Sequence, residues 1–567
     1  MTDYLNVYAD MALPASGAAR DAALQAGAVV EVAATSLVGY RSAGHLLLIG
    51  PELDALECAA RLREQLTCTI LATRAHEGEL PDEAAAARAD QQRVTVLYGE
   101  PASVEGHLGH FDMALQTPRG ESLRAADLNG TDHPWFDLVL DLRREPSLQM
   151  DLPPFGYYAP AGDGDALERA LVEIPEMTGE FEKPKFFNYS PDICAHGDSG
   201  LTGCTRCLDA CPADAIASAG EIIQVDPYLC QGGGTCATAC PTGAIIYAYP
   251  GPKDLAARVR AMLQAFREAG GTHPVLLFHD DEAGAERLRA IAPALPEPVI
   301  PVRVAEIGSV GMDLWLTALA YGASGITLLD TPAVPPTVRL EVQRQLGYTR
   351  SLLDALNLGG ERIALSPRQE SPVSMLSAMS DWQPVSPATF ETFNEKRGTL
   401  RLAIDHLYGQ AIARPQLTAM PAGAPFGQVL VDVDKCTLCM ACPQVCPTRA
   451  LTDAGDRPQL NFTEDLCVQC GLCQSACPEA AITLESRYLF DWEQRRQARV
   501  LNEEEPFECI SCGTPFATPS VIERMTQRLE GHHMFQSEAS MRRLKMCGDC
   551  RVKDMFESEQ RSGNTGT

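Results

Sequence analysis

The chain has no uncharged apolar run near 18 residues, so no membrane-spanning helix is expected, and only peripheral docking on a membrane enzyme stays open. Its first residues, Met1-Thr2-Asp3-Tyr4, begin no charged-then-apolar leader. Basic residues are scarce: 46 Lys and Arg stand against 75 Asp and Glu, a formal net charge of −29. That balance argues against nucleic-acid binding, which needs a basic surface, and suits docking to a basic patch on a partner protein. No GxGxxG follows the first strand, so no dinucleotide site is read. No phosphate loop, flavin fingerprint or nucleophile–base pair stands out either. No catalytic residue is assigned. Cysteine is absent from residues 241 to 435.

Elsewhere cysteine is abundant, 21 in all. A chain of 567 residues with 45% hydrophobic content can bury several cores and needs no disulfide staples. Most of the cysteines sit in tight CxxC groups, which points to metal binding in a reducing cytoplasm. Cys58 and Cys68 stand alone and read as small core hydrophobes.

The sharpest run is Cys436-x2-Cys439-x2-Cys442-x3-Cys446-Pro447, repeated as Cys467-x2-Cys470-x2-Cys473-x3-Cys477-Pro478. It is similar to the ligand run of two-cluster bacterial ferredoxins. Three thiolates from one loop and a fourth from the other half can converge on a cubane. One [4Fe–4S] cluster then takes Cys436, Cys439, Cys442 and Cys477, and its neighbour takes Cys467, Cys470, Cys473 and Cys446.

An earlier module departs from this pattern. It keeps Cys204-x2-Cys207-x3-Cys211-Pro212, but Leu201 stands at the first ligand position and Cys194 lies upstream. Its second motif is Cys230-Gln-Gly-Gly-Gly-Thr-Cys236-x3-Cys240-Pro241, with Gly233 at the second ligand position. One [4Fe–4S] cluster can draw on Cys194, Cys204, Cys207 and Cys240. Only Cys211, Cys230 and Cys236 remain for the other. Seven-iron ferredoxins show the same loss, which implies a [3Fe–4S] centre. The rival is a fourth [4Fe–4S] completed by water, another side chain or His196. The Gly232–Gly234 stretch can also simply let backbone pass close to the cluster.

The last cysteines form Cys509-x2-Cys512 and Cys547-x2-Cys550. Two such knuckles suit one tetrahedral zinc, with a fifth iron centre as the rival. His532 and His533 between them read as surface residues.

The fold class expected is α/β and α+β multidomain. Residues 1–185 read as an N-terminal α/β domain, with strands at His45–Gly50, Cys68–Leu71, Val94–Tyr98 and Phe136–Leu140 and a helix at Ala55–Leu66. Residues 186–250 read as the first dicluster ferredoxin-like module. Residues 251–365 return to α/β, with strands at Val275–Phe278, Ile300–Val304 and Gly325–Leu329. Residues 366–425 read as a connector containing a helix at Glu391–Tyr408, and 426–486 as the second dicluster module. Residues 487–567 read as a helical, zinc-ribbon-like region with a helix at Pro519–Leu529 and a disordered tail from Glu557.

Two resemblances follow. The stretch Pro301–Asp330 resembles the small α/β domain of the methyl-viologen-reducing hydrogenase delta subunit, also fused to heterodisulfide reductase A subunits. That family carries a [2Fe–2S] cluster. The matching places here hold His279, Ala305-Glu306 and Asp330, so the resemblance implies the fold and a docking role without the cluster. The whole arrangement resembles proteobacterial multi-cluster 4Fe–4S proteins encoded beside formate dehydrogenases, through Gly179–Phe187, Asp192–His196 and Cys236–Ile245. Together these readings imply an electron-transfer protein relaying single electrons between a partner dehydrogenase and a downstream acceptor. Two alternatives stand beside it: a subunit of a heterodisulfide-reductase-like or flavin-bifurcating complex, and an iron–sulfur scaffold or assembly protein.

Overall fold

The computed structural model describes residues 2–563 apart from 10, 12, 15–16, 117–119, 121, 130–131 and 456. The expected turn over 453–458 includes residue 456, which lies outside the described residues.

Two parallel sheets dominate the α/β parts. The first runs Val94–Tyr98, Thr67–Arg74, His45–Pro51, Leu138–Asp141, Tyr157–Tyr158 in spatial order. Leu46 to Ile49 are fully buried, as a parallel strand covered on both faces requires. The helix after it is Glu52–Leu62, three residues earlier than the pattern suggests. Pro51 precedes it, and Glu52 lies in its first turn. The Glu52 carboxylate is buried there, accepting from Tyr98 and the His76 N–H and pairing with Arg88 at 2.7 Å. Sequence patterning missed a three-stranded antiparallel sheet, Glu100–His107, His110–Gln116 and Ser122–Arg124.

The second sheet runs Val299–Arg303, Val275–His279, Gly325–Leu328, Ile363–Leu365, all parallel. Its core contains Trp315, Phe278 and Phe266. The same core takes in Tyr8, Ala23 and Leu24 from the N-terminal helices, and Leu376, Leu400, Ala403 and Leu407 from the connector. Residues 1–185 are therefore not one packing unit, and residues 366–425 are more than a linker. The helix Ala18–Val29 lies against Pro252–Glu268 so closely that a Cβ on Gly27 would meet Met262 Cγ at 2.8 Å.

Both cysteine-rich modules have the same plan. In the first, Phe187–Tyr189 pairs antiparallel with Ile245–Tyr247, and the hairpin Ile216–Ala219/Ile222–Val225 lies between two short helices. In the second, Gly427–Val431 pairs with Ile482–Leu489, and Leu451–Asp453 pairs with Gln459–Phe462.

At the C-terminus, Pro519–Leu529 is helical as its pattern suggests. The tail expected to be disordered from Glu557 is instead helical to Gly563, in the helix Gly548–Gly563. Arg543 holds that helix, pairing with Asp554 at 2.7 Å and donating to Ser558 at 2.6 Å. Polar composition hid these cross-helix bonds. Residues 564–567 lie outside the described residues. No described helix is long and apolar enough to cross a membrane.

Candidate functional site: the cysteine loops

Backbone geometry aligns the repeats better than sequence does. After each Cys-Pro the second following residue is left-handed: Asp214, Gly243, Arg449 and Ala480, with φ between 47° and 80°. The proline ends the helical turn and the reversal directs the chain into the hairpin or the closing strand. Around the middle thiol the loop reverses twice. Leu438 and Met440 flank Cys439, and Gln469 and Gly471 flank Cys470, all with positive φ. Gly232 and Gly234 flank Gly233 in the same way, with φ of 79° and 77°. Gly233 thus occupies the structural position of a ligand cysteine.

Its surroundings explain the missing thiol. A Cβ on Gly233 would lie 2.8 Å from Pro212 Cγ and 3.6 Å from Val338. A Cβ on Gly234 would strike the backbone of Ser309. Thr238 donates to Gly308 O at 3.3 Å on the same seam. The triple glycine lets the second α/β domain pass close, as well as the loop itself.

The structure brings Cys194, Cys204, Cys207 and Cys240 together, close enough that the other three thiols add to burial in raising the proton affinity of Cys207. The long interval between Cys194 and Cys204 folds as a small hairpin, Gly197–Asp198 with Leu201–Thr202. Cys236 is half-buried and lies round one small cavity with Cys230 and Cys211. These three thiols share a cavity with Pro212, Gly233 and Gly234. In the second module Cys436, Cys439, Cys442 and Cys477 line one cavity. Cys473 faces Cys467, Cys470 and Cys446.

Burial pushes the Cys442 thiol up to about 12 and Cys470 up to about 11. Each is neutral near pH 7 until a metal displaces its proton. Ala215 and Ala481 aim backbone N–H groups at the sulfurs of Cys211 and Cys477, at 3.4 and 3.3 Å.

His196 is not placed to ligate. It is buried, Nδ1 donates to Cys204 O at 2.9 Å, and Nε2 accepts from Ser218 at 2.7 Å. It fixes the ligand loop through its backbone. His279 is likewise engaged, donating from Nδ1 to Asp280 O and accepting from Tyr8 at 3.0 Å. Asp330 pairs with Arg339 and Arg368. Glu306 is half-buried, and burial pushes its carboxyl up to about 7.

The C-terminal four behave differently. The sulfurs of Cys509, Cys512, Cys547 and Cys550 lie within 4.8 Å of one another, and Cys512 Sγ is 3.8 Å from Cys547 Sγ. A tetrahedral ion with metal–sulfur bonds of about 2.3 Å spaces its sulfurs by about 3.8 Å. Among the described residues none of the fifteen other motif cysteines forms so tight a group. Their thiols leave room for a multi-iron core. Burial opposes ionisation of Cys509, but backbone N–H donors at Cys547, Ser511 and Cys512 prevail and bring it down to about 6. His532 and His533 are exposed and stack on each other. Cys58 and Cys68 are buried in the N-terminal core.

One close group escaped sequence reading: His45, His133 and Asp137. The Asp137 carboxylate accepts from the Ala43 and His45 N–H groups, and the two imidazoles stack at 4.2 Å. That cap organises the start of the central strand. The sequence also concealed the buried cations around the thiols. Lys183 donates to Tyr228 O and Cys230 O at 2.9 and 2.7 Å. Arg397 donates to Pro425 O, Asp465 O and Cys467 O.

The family described as 4Fe-4S dicluster domain matches residues 202–244, and the 4Fe-4S binding domain matches 429–452 and 460–483. No curated protein matches the chain. The two matches support a multi-cluster ferredoxin-like protein that binds iron–sulfur clusters, takes part in electron transfer and has redox partners.

Proposed function

We propose that the chain relays single electrons between a partner dehydrogenase, formate dehydrogenase being the associated case, and a downstream acceptor in a reducing cytoplasm. The observation that carries this is the sorting of fifteen thiols into three sets of four and one of three. Iron–sulfur clusters, when bound, supply one-electron exchange at potentials set by their protein surroundings.

The residues supply the rest. Cys194, Cys204, Cys207 and Cys240 would hold one [4Fe–4S], Cys436, Cys439, Cys442 and Cys477 a second, and Cys446, Cys467, Cys470 and Cys473 a third. Cys211, Cys230 and Cys236 would hold a [3Fe–4S], because the fourth position is closed by Pro212. Burial keeps water off Cys207, Cys240, Cys442, Cys467 and Cys473, and the N–H donors to Cys211 and Cys477 favour the more negative reduced state. Cys509, Cys512, Cys547 and Cys550 would hold zinc, which has no redox role and ties the two knuckles together. The delta-subunit-like domain would serve docking, with a carboxylate-rich face for a basic partner.

Anaerobic iron, sulfide and zinc analysis with EPR tests this. The expected result is about fifteen irons per chain with one zinc, and a three-iron signal in the oxidised state that disappears on reduction. A folded, colourless protein from iron-replete cells grown and handled without oxygen overturns it.

One observation favours the enzyme-subunit reading. A cavity of about 610 Å³ opens beside Gln231, between Phe155, Phe186 and Tyr249 on one side and Asp280, Asp281 and Glu306 on the other. Its carboxylates oppose the phosphate of a flavin nucleotide. A tightly bound flavin in the absorption spectrum of the purified protein would decide for that reading.

A further inference from the structure

The two modules touch at their inner ends. Gly203, next to Cys204 in the first module, and Leu472, between Cys470 and Cys473 in the second, meet there. Within the modules the short helix carrying Cys207 lies against the one carrying Cys236, and the helix carrying Cys442 against the one carrying Cys473. The four donor sets therefore follow one another in a single order. Cys211/Cys230/Cys236 comes first, then Cys194/Cys204/Cys207/Cys240, then Cys446/Cys467/Cys470/Cys473, and last Cys436/Cys439/Cys442/Cys477.

Three features build the junction. Gly203 lies beside Leu472, and a Cβ there would come 2.5 Å from Leu472 Cγ. Only a residue without a side chain admits the second module so near. Arg206 then reaches Gln469 O at 3.5 Å while its charge favours the Cys204 thiolate. Behind both, adjacent residues of the helix Lys396–Gln410 grip one module each. Lys396 donates to Ala237 O and Thr238 O at 2.9 and 2.5 Å, in the turn between Cys236 and Cys240. Arg397 donates to Cys467 O at 3.1 Å. Lys396 and Arg397 are both buried. These bonds are charge-assisted and enclosed, so they set position as well as stability.

We propose that Gly203, Arg206 and the Lys396–Arg397 pair form an inter-module junction that turns two dicluster modules into one four-centre line. The inference rests on the iron–sulfur reading above. One electron leaving the donor set of Cys194, Cys204, Cys207 and Cys240 oxidises that centre by one and reduces the centre on Cys446, Cys467, Cys470 and Cys473 by one, with no bond broken and no proton required. Electrons enter or leave the line through external one-electron carriers. The Cys439 end is the more solvent-facing one, since Cys439 is exposed while Cys211, Cys230 and Cys236 are half-buried.

The test uses the full chain, reconstituted anaerobically and reduced with dithionite. Gly203→Leu wedges the junction, and Gly203→Leu with Leu472→Ala relieves the wedge. Iron and sulfide content and the EPR spectrum of the reduced state are read for all three proteins. The wild type should show magnetic interaction that the wedge weakens and the double variant restores, at unchanged iron content. After a substoichiometric pulse of ferricyanide, freeze-quench EPR should show redistribution between modules slowed at least about tenfold by the wedge, or ~1.4 kcal/mol of barrier. An unchanged spectrum and rate in a fully loaded Gly203→Leu protein overturns the junction while leaving the iron–sulfur reading intact. A wild type without iron fails the earlier reading instead. Where Gly203→Leu loses iron, Arg206→Met decides, because it removes the cation and adds no volume. The midpoints of one centre in each module should then fall together, and a shift confined to one module overturns the proposal.

Discussion

The second module keeps the full ligand pattern, whereas the first is irregular and lies between two α/β domains. Cys439 of the second reaches solvent, and all eight of its ligand positions hold cysteine. The first is covered on both sides: Lys183 and Tyr40 from the N-terminal domain bind the carbonyl of Tyr228, and Ser309 of the second α/β domain packs on Gly234. Its two departures from the ligand pattern are of different kinds. At Leu201 an inserted hairpin supplies Cys194 in compensation, and that side faces the other module through Gly203. At Gly233 no compensation exists: Pro212 of the same module takes the space, and the neighbouring domain closes on Gly234 beside it. Ligand loss thus follows the place where tertiary packing has claimed the loop.

The largest effect that would break this comparison is loss of a whole centre. Cys442→Ser and Cys477→Ser come from opposite halves of the second module yet line one cavity. Each should remove about four irons, since the donor set is shared across the halves. Cys230→Ser should remove about three irons from the first module. Iron-to-protein ratios check this. A Cys230→Ser protein with undiminished iron would show that the enclosed trio is not a site.

Next in size is Gly233→Cys, which restores the missing thiol on paper. With Pro212 Cγ 2.8 Å from the new Cβ, overpacking should cost about 1–3 kcal/mol and add no iron. Thermal unfolding and EPR of the oxidised state check both parts. A stable variant whose three-iron signal gives way to a fourth cubane would remove packing as the reason for the glycine.

Much of this was legible in the sequence, for identifiable reasons. The second parallel sheet and the cysteine loops announced themselves because buried strands and ligand spacings are local patterns. His45–Pro51, Val94–Tyr98 and Pro519–Leu529 lie within a residue of their expected bounds. What stayed hidden depends on contacts distant in sequence. The N-terminal helices read as part of the nearest sheet, yet Arg20 is buried against the backbone of Val299, to which it donates at 2.7 Å. The strands of 100–124 alternate weakly, so no period stood out. Lys183, Lys396 and Arg397 carried no signal because a charge shows nothing in sequence of the carbonyls it will meet. Nor could the order of the four donor sets be read, because it arises from one glycine meeting one leucine 269 positions away.

The smallest effect concerns how the second module is held to the segment that follows it, whose strand Arg499–Glu503 pairs with Gln459–Phe462. Glu464 is buried beside the strand Gln459–Phe462, where Arg487 and Arg499 each donate to it at 2.7 Å. These bonds tie together three segments of the module's surface. Burial raises the carboxyl, but the two guanidinium groups outweigh it and hold the Glu464 pKa below the usual range. A carboxylate with a depressed folded pKa contributes stability above its unfolded value, about 4.3, and loses it as pH falls through the folded value. Glu464→Gln should therefore cost about 1 kcal/mol near pH 7, an amount typical of partly exposed pairs. The gap to wild type should close as the pH drops below about 4. Urea unfolding of both proteins across that window checks the sign. A gap that stays constant to the acid end would mean that shape, rather than charge, is what Glu464 contributes to the second module.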